Sequence, residues 1–406
     1  MTQYNFDERI DRTNTNSLKY DFAVERGRPA DVLPLWVADM DFRAPQCVLD
    51  ALQKAVSHGI FGYSDVKADY YNAVSAWFRN NFGWETRPEW LVKTPGVVFA
   101  LAMAVRSLTR AGDSVLLQPP VYYPFYSVIR DNDRQVVENE LVYENGCYKI
   151  DFADFEAKIV QYQVKLFILC SPHNPIGRVW TREELQKIGD ICLRHNVYMV
   201  SDEIHCDFAF PGHPHTVFMR ACPELAEQIV ICTAPSKTFN LAGLQVSNIW
   251  IPGEDTRKRF VKEIDRSGYS QLNSLGLVAC QAAYEGGGEW LEQCRDYMRG
   301  NLDFLRHFLT QRLPQISLVE PEGCYFAWLD CSGLGLTRRE LNDLVVNRAK
   351  LWLDAGHIFG ACAEQFQRVV LACPRSTLQE ALERLERAVN STLHQKKLEA
   401  NRENTV

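Results

Sequence analysis

No stretch of this chain approaches the run of about 18 apolar residues that a membrane-spanning helix needs, so no span is expected. No basic stripe or arm interrupts the balance of 44 basic and 51 acidic side chains, a formal charge of −7, which argues against a nucleic-acid partner. The opening Met1-Thr-Gln-Tyr-Asn-Phe-Asp-Glu8 has neither the basic nor the apolar region of a secretory signal, and a cytoplasmic location is expected. The thirteen cysteines are scattered without a C-x-x-C pair and read as buried, reduced thiols instead of a disulfide or metal framework. His213 and His215 share a Gly/Pro loop with no suitably spaced cysteine or carboxylate, so no metal site is expected. Internal repeats and low-complexity segments are absent. What remains is 406 residues, 46% of them hydrophobic, enough for a sizeable core.

Within that frame the most informative stretch is Ile229-Val-Ile-Cys-Thr-Ala-Pro-Ser-Lys-Thr-Phe-Asn240. An apolar run, read as a buried strand, ends in a small-residue turn that presents Lys237. Taken alone, such a lysine is a solvated loop residue. Two other runs change the reading: Asp202 follows Val197-Tyr-Met-Val-Ser201, and Asn174 follows Leu166-Phe-Ile-Leu-Cys170. An amine, a carboxylate and an amide then fall at the carboxyl ends of parallel strands, where open α/β sheets bind ligands. Thr181-Arg-Glu-Glu184 is a capping box opening a helix to about His195, which with its flanking strands makes a βαβ unit. Thr94-Pro-Gly-Val-Val98 reads as a turn feeding a helix whose free amides suit an anion, with Gly96 allowing close approach. A lysine as Schiff base and an aspartate against a pyridinium nitrogen are the protein's half of pyridoxal phosphate chemistry.

On Lys237, Asp202 and Asn174 in that arrangement, the chain resembles the fold-type I pyridoxal-phosphate enzymes of the class I/II aminotransferase superfamily. Trp36-Val-Ala-Asp-Met-Asp-Phe42, His58-Gly-Ile-Phe-Gly-Tyr63 and Asp202-Glu-Ile-His205 are similar to the cystathionine β-lyase, or cysteine-S-conjugate β-lyase, branch. The resemblance implies an α/β fold with a mainly parallel sheet between helices and a smaller α+β domain. Its expected limits are an arm over 1–45 packing with the small domain, a large cofactor domain over 46–286 and a small domain over 287–406. It implies a bound pyridoxal 5'-phosphate held by Lys237, which also acts as the base, with Asp202 on the ring nitrogen. Tyr122 is implied to stack on the ring and take part in catalysis, Asn174 to reach the phenolic oxygen, and His205 to stand beside the ring. Gly96, Val97, Val98 and Ser236 are implied at the phosphate, together with Tyr63 of the partner subunit, which makes a homodimer part of the site. Arg375, Trp36, Asp39 and Asn174 are implied to bind an amino-acid substrate. Two positions depart from common aminotransferase habit: Ala234 stands where a phosphate serine is frequent and Gln245 where an arginine is. The implied activity is α,β-elimination from L-cystathionine or a related cysteine S-conjugate, an activity of methionine biosynthesis. Transamination of an L-amino acid is the alternative, and a secondary regulatory protein contact a further one.

The remaining segments carry simpler expectations. Residues 1–33 read as an extended arm with little core, and 35–42 as a short strand or a substrate-lining segment. Helices are expected over 45–58, 254–285, 290–312 and 339–350, and strands over 114–118 and 368–373. The charged tail from about His394 is expected to fray.

Overall fold

Leu166–Cys170 and Ile229–Thr233 are strands with all five residues buried, as continuous Leu, Ile and Val runs require of strands covered on both faces. They belong to a sheet of seven: β1 (Leu91–Thr94), β2 (Ser114–Leu117), β3 (Gln135–Glu138), β4 (Leu166–Cys170), β5 (Tyr198–Asp202), β6 (Ile229–Thr233) and β7 (Ser247–Trp250). The spatial order is β1-β7-β6-β5-β4-β2-β3, with β7 antiparallel to both neighbours and every other pair parallel. Of the helices, α1 (Gln46–His58) and α2 (Ala68–Phe82) precede the sheet, α3 (Val97–Leu108) follows β1 and α4 (Arg182–Arg194) links β4 to β5. Ala100, Leu101 and Ala104 of α3 share one core cluster with Val115, Ile168, Val200 and Val230 of the central strands. The start of α4 is the expected capping box: the Thr181 hydroxyl takes the Glu184 amide, and the Glu184 carboxylate takes the Thr181 amide.

The structure, a computed structural model, describes residues 3–403. The chain forms two compact units, one of Arg43–Gln293 with Glu322–Cys324, the other of Gln3–Phe42, Cys294–Pro321 and the chain from Tyr325 onward. The second unit is built on an antiparallel sheet of β8 (Ser317–Val319), β9 (Phe326–Asp330), β10 (Asp354–Ala355) and β11 (Phe366–Val370), in the order β8-β9-β11-β10.

Several expectations change. The single helix over 254–285 is two, α5 (Glu254–Arg266) and α6 (Ser274–Gly286). Gly268 at φ +75° leaves the helical path, and the Asn273 side chain caps the restart by accepting the Gly276 amide. After α7 (Gly288–Arg312), the helix over 339–350 is only α8 (Arg338–Asp343), continued by a wider turn at Leu344–Arg348. The last strand stops at Val370, and Arg375 opens α9 (Arg375–Glu403) instead of closing that strand. That helix runs through the tail expected to fray, whose Gln, Lys, Leu, Glu, Ala and Arg are strong helix formers.

The N-terminal segment is neither extended nor without a core. Its one strand is Leu33–Pro34, parallel to Leu351–Trp352, and 35–42 forms none. Phe6, Ala23 and Trp36 are buried, and Lys19 is fully buried against Asp41 at 2.9 Å. Arg12 meets Asp39 at 2.6 Å and Asp41 at 2.7 Å. Two cations and two carboxylates cancel locally, which is what lets a lysine be buried at all. All thirteen cysteines are free thiols, ten of them buried, and no described helix is long and apolar enough to cross a membrane.

Candidate active site

Parallel pairing sets three strand ends level: Cys170 lies beside Asp202 on β5, and Asp202 beside Cys232 on β6. Asn174 is carried on the turn just beyond β4, and Lys237 on the short helix Pro235–Thr238 just beyond β6. The register therefore gathers Asn174, Asp202 and Lys237 at one edge of the sheet.

Asp202 is 4% exposed and, among the described residues, receives a single side-chain hydrogen bond, from the Ile204 amide at 3.2 Å. Its carboxyl is pushed up to about 7, chiefly by burial; the Ile204 amide opposes this, Glu203 adds to it and Lys237 opposes it. A buried carboxylate so poorly solvated by the protein is suited to a cationic partner. The two neighbouring carboxylates are committed elsewhere. Glu203 accepts from Ser201, His215 and the Phe218 amide, and Asp207 from the Trp77 indole at 2.9 Å and the Thr238 hydroxyl at 2.7 Å.

The Asn174 turn is closed by the His173 amide on the Arg178 carbonyl and the Gly177 amide on the His173 carbonyl, both at 2.8 Å. Burial lowers the His173 imidazole to about 4, so it is neutral and its Nε2–H donates to the Pro120 carbonyl at 2.9 Å. That bond ties the Asn174 turn to the loop carrying Tyr122, whose ring packs near Tyr123 and edge-on to Phe125. His205, 3% exposed, follows β5 at the head of the short turn Cys206–Phe208.

Gly96 caps α3 with φ 138° and ψ 157°, a conformation essentially closed to residues with a Cβ. It places the Val97 and Val98 amides in the first turn, at the positive end of the helix; Val97 is buried and Val98 41% exposed. Ser236 is half-buried beside Lys237, Ala234 is buried, and Gln245 adopts a left-handed backbone at φ 49°. Tyr63 stands apart from these groups in character: it is 96% exposed on the loop after α1, with Ile60 and Phe61 also exposed.

The other expected residues belong to the second unit. Trp36 is buried and stacked on Trp352, ring centroids 4.2 Å apart, so its indole is a packing group there. Asp39 Oδ2 accepts from the Arg12 guanidinium, and its Oδ1 faces Lys19 at 3.6 Å. Arg375 donates through Nε to Asn301 at 2.6 Å and lies 4.9 Å over the Phe304 ring. Asn301 is itself held by the Leu371 and Cys373 carbonyls.

A second arginine escaped the sequence reading. Arg368 is 2% exposed at the centre of β11, directly opposite Asp354 of β10, with which it forms a buried ion pair. It also donates to the Trp36 carbonyl at 2.7 Å and lies between the Phe326 and Phe359 rings. An arginine inside Phe366-Gln-Arg-Val-Val370 was the available signal, since strand interiors of that kind bury charge only for a purpose.

Comparison with known proteins follows the same lines. The family described as aminotransferase class I and II matches residues 30–385. A cystathionine beta-lyase, PatB of Bacillus subtilis (strain 168), is 44% identical over 386 residues, covering 95% of this chain and 100% of the relative. The crystal structure of cystalysin from Treponema denticola, which contains a pyridoxal 5'-phosphate cofactor, superposes with a TM-score of 0.93 at 37% identity, covering 96% of this chain and 100% of that one. The PLP-bound C-S lyase from Staphylococcus hominis gives a TM-score of 0.89 at 34% identity, covering 96% and 98%. Sheet order, strand-end chemistry and the match over 30–385 agree, and the chain belongs to the class I and II aminotransferase family.

Proposed function

We propose that this protein is a pyridoxal-phosphate-dependent carbon–sulfur β-lyase, cleaving L-cystathionine or a related cysteine S-conjugate to a thiol, pyruvate and ammonia. The observation that carries the reading is the level alignment of β4, β5 and β6, which gathers Asn174, Asp202 and Lys237. The names of the cystathionine beta-lyase and C-S lyase relatives support it.

The residues fit the cofactor. Asp202, buried with one hydrogen bond, suits a protonated ring nitrogen, and the Gly96 conformation leaves open space beside the α3 amides for a phosphate. When bound, pyridoxal phosphate supplies an electron sink for charge developing at the substrate's α-carbon. Lys237 Nζ would hold the cofactor, and its amine is the base that would take the substrate's α-proton. Asp202 holds a proton at the ring nitrogen, Asn174 donates to the phenolic oxygen, Tyr122 covers the ring and His205 flanks it. Gly96, Val97, Val98 and Ser236 bind the phosphate with Tyr63 of the partner subunit. The exposed Ile60 and Phe61, and a groove of about 540 Å³ between α1 and α6 that they border, support a homodimer. A cytoplasmic location belongs to the same reading, supported by thirteen free thiols.

Asp39 and a guanidinium of the second unit serve the substrate; Trp36, expected beside them, contributes through its main chain while its indole packs on Trp352. Arg375 is one candidate for the substrate's carboxylate. Arg368 is the other, on the observation that it donates to the main-chain carbonyl of Trp36, in the segment that carries Asp39. Expulsion of a β-thiolate needs no second arginine to bind an acidic side chain.

Purified protein incubated with L-cystathionine and no keto acid tests the reading. Pyruvate and free thiol are expected in equal amounts. Turnover that appears only when a keto-acid acceptor is added would assign the protein to amine transfer instead.

A further inference from the structure

Lys237 stands on a helix of a single turn, Pro235–Thr238, closed by the Phe239 amide on the Pro235 carbonyl at 2.9 Å and followed by the Leu241 amide on the Ser236 carbonyl at 3.0 Å. One turn fixes several backbone torsions for about one hydrogen bond, so a helix this short takes its stability and its rotation from what packs on it. The two residues after Lys237 are both gripped. Thr238 is fully buried, and its hydroxyl donates to Asp207 Oδ2 at 2.7 Å. Phe239 is fully buried too, edge-on to Trp77 and Tyr284 with ring centroids 5.4 and 5.7 Å away. That packing has no slack, since a Cβ on Gly287 would come within 2.5 Å of the Phe239 ring. Trp77 joins the two grips, because the indole that packs on Phe239 also donates to Asp207 Oδ1 at 2.9 Å.

Asp207, 5% exposed, lies on the turn Cys206–Phe208 that follows His205 and the end of β5. That turn is fixed in its own right by the Cys206 amide on the Glu203 carbonyl and the Phe208 amide on the His205 carbonyl, both at 3.0 Å. The Asp207 carboxyl group therefore ties the segment carrying Asp202 and His205 to the turn carrying Lys237. Successive residues of a helix leave its axis about 100° apart, so fixing the hydroxyl at 238 fixes the direction in which residue 237 leaves the backbone. We propose that Asp207 is a positioning residue for the Lys237 amine, acting through Thr238 and steadied by Trp77. The proposal rests on pyridoxal phosphate being the cofactor and Lys237 its anchor, and deepens that reading. The role is one of geometry and not of charge. An amide at 207 can accept from the Trp77 indole through its oxygen and donate to the Thr238 hydroxyl through its nitrogen, so Asp207→Asn keeps both contacts while Asp207→Ala keeps neither.

The test compares two ligands on apoprotein. Pyridoxal phosphate joins its aldehyde carbon to the Lys237 nitrogen with loss of one water, read as visible absorbance and, after borohydride reduction, as added mass on the peptide containing Lys237. Pyridoxamine phosphate has the same ring and phosphate but no aldehyde, and its affinity is read by tryptophan quenching. In Asp207→Ala the rate of pyridoxal phosphate capture is expected to fall about 10–100-fold, the scale of a reacting group displaced by about 1 Å, while affinity for pyridoxamine phosphate stays within about twofold of wild type. Turnover should show the same split, with kcat lowered and KM little changed. Thr238→Val, which removes the hydroxyl and leaves the Trp77 bond in place, should slow capture alike, and the double variant should slow it no further. Asp207→Asn and Thr238→Ser should stay near wild type. Should Asp207→Ala fail to fold, Thr238→Val carries the same expectation. Equal losses for the two ligands, Asp207→Asn as slow as Asp207→Ala, or unchanged capture in folded Thr238→Val overturns the proposal and leaves Asp207 a fold-stabilising group. Wild-type protein that captures no pyridoxal phosphate would instead remove the cofactor reading itself.

Discussion

Asp202 carries a stability cost that can be measured without any cofactor. Its folded-state value of about 7 lies above the ordinary 3.8, so the folded apoprotein holds that proton more tightly than the unfolded chain does. The stabilising contribution is therefore fully present below pH 3.8 and lost as pH rises to about 7, at about 1.4 kcal/mol per pH unit. Urea unfolding of apo Asp202→Asn should show a protein more stable than wild type at alkaline pH, with the difference closing toward pH 4. Equal stability at both ends would mean the carboxyl is far better solvated than its single hydrogen bond indicates. Lys237→Ala, by contrast, should leave stability nearly unchanged while removing visible absorbance and lowering turnover by roughly 10²–10⁴-fold or more, as expected for loss of the proton-transfer group. Retained turnover in that variant would withdraw the lysine's role. The two arginines separate in the same assay. Whichever of Arg368→Lys and Arg375→Lys raises the substrate's KM roughly tenfold, with kcat little changed, marks the carboxylate's partner, because a point charge then replaces a bidentate fork.

Among the elements, the turn into α3 is the most demanding. Gly96→Ala meets no neighbouring atom within 4 Å, so its effect comes from backbone conformation alone. Forcing φ 138° on a residue with a Cβ costs about 1–3 kcal/mol, and relaxation of the turn should misdirect the Val97 and Val98 amides. Weaker pyridoxal phosphate binding with little change in apoprotein melting is the expected pattern; unchanged binding would move the phosphate elsewhere. At α4, Thr181→Ala removes one half of the capping box and should cost about 1 kcal/mol in urea unfolding. Elements with strong local signals were readable in advance: β4 and β6 from unbroken apolar runs, α4 from its box. The break between α5 and α6 was not, because a helical apolar pattern continues past Gly268 and only the glycine's left-handed turn shows the interruption.

On the scale of the whole molecule, the exposed Tyr63 is the sharpest test of assembly. Tyr63→Phe should weaken cofactor retention. Mixing it with Lys237→Ala subunits should restore activity in hybrids, since one site of each hybrid then combines an intact Lys237 with an intact Tyr63 from the partner. Failure of any rescue would confine Tyr63 to its own chain or to packing.

The sequence by itself determined which groups could carry the chemistry. Lys237, Asp202 and Asn174 each follow a strand whose apolar run is a local property, and their succession is legible without coordinates. What it could not determine was the allotment of charge among neighbours. Asp202 and Glu203 are adjacent carboxylates with the same local surroundings, yet one receives a single hydrogen bond and the other three. Ser201 is near in the chain, but the His215 and Phe218 donors arrive only when the following loop folds back. Arg368 was passed over for Arg375 for the same reason: its ion pair with Asp354 exists only once β10 and β11 align. The N-terminal segment read as a polar arm because its lysine and aspartates are polar one by one, and only tertiary contact among Arg12, Lys19, Asp39 and Asp41 makes their burial affordable. Strand runs and caps are decided by neighbours within a few residues, whereas the solvation of a buried charge is decided by whichever distant donors the fold delivers to it.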